Sequence, residues 1–153
     1  MKFKISLTID EEANNKVGLI NSFSKSLEDY FIVKNYGSSI DEILIGLTCV
    51  NIPVGFEHLF KIYKPLYVDY KTITNQHTGE QIELKKYFNY SIRLNKESYN
   101  EFVNRSDDDG KKILSQLFVD SLSNLDALPK KVKDFNKEKF KNDIVEFLEK
   151  YAG

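Results

Sequence analysis

The chain has one cysteine, Cys49, two histidines, His58 and His77, and no tryptophan among its 153 residues. One cysteine excludes an internal disulfide. No pair among those three residues has the spacing of a metal site or of a nucleophile–base couple, so neither catalytic residues nor metal ligands are expected. No cofactor is expected either. No stretch approaches the ~18 uninterrupted apolar residues of a membrane span. The N-terminal MKFKISLTID alternates polar with apolar residues and contains no apolar run. It reads as a strand and not as a signal peptide, which makes the cytoplasm the expected compartment. The formal net charge is −1, so no global field draws the chain to nucleic acid or to a membrane surface. Residues 1–60 carry five Lys and eight acids, and residues 61–105 carry eight basic residues and five acids, a mild polarity of −3 against +3.

What is present is an ordinary globular balance, 41% hydrophobic and 29% charged. Eleven Phe and nine Tyr supply bulky core material. A chain of this length forms one domain, residues 1–153, and buries roughly 70% of the surface its unfolded form exposes.

Residues 2–9 alternate strictly: Phe3, Ile5, Leu7 and Ile9 on one face, Lys2, Lys4, Ser6 and Thr8 on the other. That is a half-buried strand. Asp10 ends it and can cap a helix. Val17, Ile20, Phe23, Leu27, Tyr30 and Phe31 come next at helical spacing and predict a helix over 11–32. Asn35 to Ser39 is a loop punctuated by Gly37. Residues 41–50 are apolar on both faces and predict a central strand. Asn51 to Pro65 is irregular, broken by Pro53, Gly55 and Pro65. Residues 66–74 and 81–94 read as a hairpin with a turn-rich linker at 75–80. Its second strand aligns Ile82, Leu84, Phe88, Tyr90, Ile92 and Leu94, with Lys86 the single exception. Asn95 is a cap for a short helix near 96–104, and Ser106 with Asp109 has capping-box spacing ahead of a strong helix. Phe140, Ile144, Phe147, Leu148 and Tyr151 mark a last helix near 137–151. Strands and helices segregate along the chain. The expected class is therefore α+β: a mainly antiparallel four-stranded sheet with helices packed on one face.

Most features that look like chemistry have a simpler reading. Asp107-Asp108-Asp109-Gly110 fails as a calcium loop, because the first and twelfth positions would be Arg105 and Gln116. Gly110-Lys111-Lys112 lacks the upstream glycine and the following Ser or Thr of a phosphate loop. Cys49 alternates with Ile45 and Leu47 and reads as a small buried hydrophobe. His58 is a packed or rim residue, and His77 sits at a hairpin tip. Paired acids such as Glu11 and Glu12 belong to solvated helix faces. The basic run at 130–133 is too short for a nucleic-acid arm. The aromatic stretch Phe56, Phe60, Tyr63, Tyr67 and Tyr70 is different. Such residues bury large areas at low entropy cost and are favoured at protein interfaces, so these five are the candidate partner-binding residues. The competing reading places them as cover for the sheet.

This region also resembles a known family. Tyr36-Gly37-Ser38-Ser39-Ile40-Asp41-Glu42-Ile43, the strand Leu44 to Val50, Val54-Gly55-Phe56-Glu57-His58-Leu59-Phe60-Lys61 and Lys64-Pro65 are similar to immunity proteins of bacterial polymorphic toxin systems, in particular the immunity protein 44 group. Tyr90-Ser91-Ile92-Arg93-Leu94, followed by helices closing on Phe135 and Phe140, fits the same pattern. The resemblance implies an α+β cytoplasmic protein that binds and neutralises a cognate toxin without catalysis, and it assigns no site residues. The alternative is a small-ligand-binding α+β domain with its pocket between sheet and helices.

Overall fold

The computed structural model describes every residue except Phe60, Lys61, Tyr63, Tyr70, Lys71, Asn75, Leu84, Lys85 and Lys131. The opening alternation forms β1 (Lys2–Ile9), with Phe3 buried and Lys4, Ser6 and Thr8 exposed. Asp10 caps the next turn, accepting from the Ala13 N–H at 3.2 Å. The predicted 11–32 helix is realised in two parts: a 3₁₀ turn over Glu11–Lys16 and α1 (Val17–Ile32). Strand β2 (Glu42–Cys49) runs parallel to β1 in unbroken register, from Lys2 opposite Glu42 to Ile9 opposite Cys49. After the irregular stretch come β3 (Leu66–Val68), β4 (Thr72–Thr74), β5 (Gln81–Glu83) and β6 (Tyr87–Arg93). The helical end comprises α2 (Lys96–Asn104), α3 (Asp107–Asp120), a 3₁₀ turn over Ser121–Ala127 and α4 (Lys137–Ala152). Caps at Asn95, Ser106 and Asn136 accept from the N–H groups of Ser98, Asp109 and Lys139, so each helix begins where the sequence places it.

The main sheet has the order β1-β2-β6-β3, and the four helices pack on one face of it. The α+β class and the one-sided helices therefore hold. The strand directions do not match the antiparallel expectation. β1 with β2 and β2 with β6 are parallel, and only β3 with β6 is antiparallel. The physical reason is the connections. α1 carries the chain back along β1 before β2 begins, and a strand–helix–strand unit returns the second strand in the same direction. The excursion from residue 50 to 86 does the same for β6. The expected hairpin is also divided. β4 and β5 pair antiparallel in a separate two-stranded sheet, whereas β3 and β6 belong to the main one. Lys86, the polar exception in the strand pattern, is where the second strand breaks: its N–H donates to Asp41 at 3.1 Å and its carbonyl accepts from the Asp41 N–H at 2.8 Å.

The core lies between sheet and helices. Ile43, Ile45, Leu47 and Cys49 of β2 and Phe88, Tyr90 and Ile92 of β6 meet Phe23, Phe31, Phe118, Phe140 and Ile144. Phe3 stacks on Phe31 and on Phe140, and these two meet at a tilt, all with centroids 5.1–6.0 Å apart, which ties β1, α1 and α4 together. Lys16 is nearly fully buried. Its ammonium donates to the Arg105 carbonyl and to Asp107, both at 2.8 Å, so it clamps the 3₁₀ turn to the junction of α2 and α3. A cation at the end of α2 and an acid at the start of α3 both suit the helix dipoles.

Candidate partner-binding surface

Two surfaces stand out once the core is accounted for. The first is the stretch between β2 and β3. Pro53 and Pro65 exclude regular pairing there, and Gly55 turns the chain at φ 92°. Without a periodic element the segment has no face to bury, and large apolar side chains among its described residues stay open: Val54 78% exposed, Phe56 51%, Leu59 63% and Ile62 48%, with Leu66 at the start of β3 53% exposed. Ile32 and Val33, at the end of α1, are the other large exposed hydrophobics among the described residues. A run of exposed apolar residues this dense marks an interaction surface more often than a solvated loop.

Of the residues singled out from sequence, Phe56 lies in this exposed run. Tyr67 is half-buried on β3, with its ring against the core and its hydroxyl donating to the Ser39 carbonyl at 2.9 Å. Phe60, Tyr63 and Tyr70 lie outside the described residues. The candidate set drawn from the sequence omits Leu59, Ile62 and Leu66, because an aromatic count passes over aliphatics. The usable signal is the failure of any period to place them on a buried face.

The second surface is the sheet face that carries no helix. A groove of ≈ 270 Å³ runs over Ser6 and Thr8 of β1, Gly46 and Thr48 of β2, and Asn89 and Ser91 of β6. Gly46 keeps its floor low: a Cβ there would stand 3.3 Å from the Ser91 hydroxyl. Leu66 pairs with Asn89 in the ladder, so the exposed apolar run ends at the rim of this face.

The groups with the most perturbed chemistry are elsewhere and are closed. The carboxyl ends of parallel strands are a common place for ligand sites. Here that position is filled by Asp10, which accepts from the Tyr99 hydroxyl at 2.5 Å and the Asn51 N–H at 2.8 Å. Burial, together with that bond to Asp10, pushes the Tyr99 phenol up. Burial raises the Cys49 thiol to about 12, with Asp10 adding to the effect. The thiol is wholly enclosed and protonated at neutral pH, so it is not a nucleophile. Tyr36 donates to Asp143 at 2.6 Å and is likewise raised, chiefly by burial. His58 and His77 are both exposed. Among the described residues no group of three or more His, Cys, Asp or Glu is placed to hold a metal ion, and no helix is long and apolar enough to cross a membrane. The layer between sheet and helices, where a small-ligand pocket was the alternative expectation, is packed with aromatic and aliphatic side chains.

The sequence model of the immunity protein 44 family matches residues 1–150. The chain belongs to the immunity protein 44 family. Neither the curated proteins nor the solved structures contain a match.

Proposed function

We propose that this chain is a cytoplasmic bacterial immunity protein that binds the toxin encoded beside it and neutralises it by occlusion, without catalysis. It acts as a single α+β domain over residues 1–153. The observation that carries the reading is the set of exposed apolar residues Val54, Phe56, Leu59, Ile62 and Leu66 in a member of an immunity protein family. Folding does not consume this area, and at about 25 cal/mol per Å² it is available to a partner. The binding residues are Phe56, Phe60, Tyr63, Tyr67 and Tyr70, joined by Leu59, Ile62 and Leu66. Tyr67 serves from below, by holding β3 through its bond to Ser39.

An inhibitor must keep toxin occupancy near complete, which calls for a dissociation constant of nanomolar order, about −12 kcal/mol. The test is calorimetry of the purified chain with the purified neighbour-encoded toxin, alongside survival of cells that express both. Tight binding with protection is the expected result. Absence of detectable binding to that toxin removes the proposal.

A further inference from the structure

The two edges of the main sheet are treated differently. β3 is three residues long, which blunts that edge by shortness. β1 is eight residues long, with no proline, glycine or inward-pointing charge. Its even-numbered backbone groups face β2: the Lys2 N–H donates to the Asp41 carbonyl and the Asp10 N–H to the Cys49 carbonyl. Backbone groups alternate along a strand, so those of Phe3, Ile5, Leu7 and Ile9 point outward. β1 ends the strand order of the main sheet, and among the described residues no turn, loop or cap hydrogen bond reaches them. The side chains report the same openness. Ile45, Leu47 and Cys49 are fully buried on β2, whereas their register partners Ile5, Leu7 and Ile9 are only partly covered.

We infer that the β1 edge is a self-pairing surface, and that its occupant is β1 of a second copy, antiparallel across a two-fold axis at Ser6. The sequence of the strand is complementary to itself in this register. Outward-pointing backbone groups meet in the pairs Ile5 with Leu7 and Phe3 with Ile9, each exchanging both N–H···O bonds. On the open face Ser6 meets Ser6 and Lys4 meets Thr8, while Lys2 falls opposite Asp10, whose carboxylate is already held by Tyr99 and Asn51. No lysine faces a lysine, and apolar residues meet only apolar ones. A two-fold contact of this kind closes on itself and does not propagate. It also extends the open sheet face across both copies. The inference is independent of the immunity reading.

Sedimentation equilibrium of the full chain over micromolar concentrations should show a reversible dimer. Ser6 is exposed, so Ser6→Lys and Ser6→Glu leave the fold intact, which circular dichroism checks. Each substitution places like charges against each other at the axis and should yield monomer where the wild type is dimeric. Mixing the two variants should restore pairing. Amide hydrogen exchange supplies a second readout: the N–H groups of Phe3, Ile5, Leu7 and Ile9 should be protected in the wild type and lose protection in Ser6→Lys, while those of Lys4, Ser6 and Thr8 stay protected in both. A wild type that remains monomeric, a Ser6→Lys chain that still dimerises, or edge protection that arises only on adding toxin would each overturn the assignment to a second copy.

Discussion

Leu47 and Leu59 are the same side chain, yet the first is fully buried and the second 63% exposed. Phe118 and Phe56 repeat the contrast. The difference lies in what surrounds them. Leu47 sits in a strand whose period of two sends every second residue to the helices. Phe118 sits on the apolar stripe of α3, its ring edge-to-face with Phe23 at a centroid distance of 5.0 Å. Leu59 and Phe56 sit where prolines and a positive-φ glycine prevent either period. Apolar residues in the frame therefore spend their burial on folding, and those in the segment between β2 and β3 hold it in reserve. The contrast yields experiments that separate stability from binding.

The largest effect belongs to the frame. Leu47→Ala and Phe118→Ala should each cost about 2–5 kcal/mol of stability, since both remove a wholly buried side chain from a filled layer. Denaturant melts read this directly. A loss below about 0.5 kcal/mol for both, the level of surface changes, would mean that the inward faces are misassigned.

That prediction needs only the sequence, which shows where sequence reading works. Periodicity locates β1, β2, α2 and α4 to within a residue or two, and cap chemistry at Asn95 and Ser106 sets where α2 and α3 begin. Strand direction is misread, although the signal is present: a helical stretch over 11–32 between two strands is the mark of a parallel pair. Segregation of the later elements outweighs it. Lys16 is invisible as a core residue, because its burial depends on the Arg105 carbonyl and Asp107, about ninety positions away. The site is half legible. Aromatic density points to the segment that holds the exposed Phe56 and Leu59, but Tyr67, with its ring turned inward, and Leu59, turned outward, differ by tertiary placement that no local pattern encodes.

Lys16 supplies the next effect. Lys16→Met keeps the apolar stem and deletes the ammonium, leaving the Arg105 carbonyl without its donor. The expected cost is about 1–3 kcal/mol by thermal or urea unfolding. Asp107 is largely exposed and recovers water when the pair is broken. Asp107→Asn should therefore cost less than Lys16→Met. The reverse order would show that the clamp acts through the ion pair and not through the carbonyl.

The segment between β2 and β3 should behave in the opposite way. Phe56→Ala and Leu59→Ala are expected to leave stability within about 0.5 kcal/mol, as at other surface positions. Each should weaken toxin binding by more than about 1 kcal/mol if it is an anchor. Tyr67→Phe sharpens the comparison from within the segment, since it deletes the bond to Ser39 and keeps the ring. It should lower stability by about 0.5–1.5 kcal/mol and change affinity only through the seating of β3. Calorimetry and melts on the same three proteins separate the two roles. Stability losses at Phe56 and Leu59 equal to those at Leu47 would abolish the distinction between the regions.

The smallest expected effect is at the residues that most resemble catalysts. His58→Ala and His77→Ala alter exposed side chains in a molecule whose activity is read as occlusion. Cell protection should be unchanged for both. Cys49→Ala leaves a small void beside Asp10 and should lower stability without lowering toxin affinity. The native thiol, raised to about 12 by burial, stays protonated at neutral pH and should resist alkylating reagents until the chain is unfolded. Side-chain acid–base catalysis typically contributes at least about a hundredfold. A folded variant at any of these positions that loses activity by that factor, while binding toxin as tightly as the wild type, would therefore mean that the protein acts on its partner chemically. Occlusion alone has no route to that result, because an inhibitor that works by covering a surface loses function only as fast as it loses affinity.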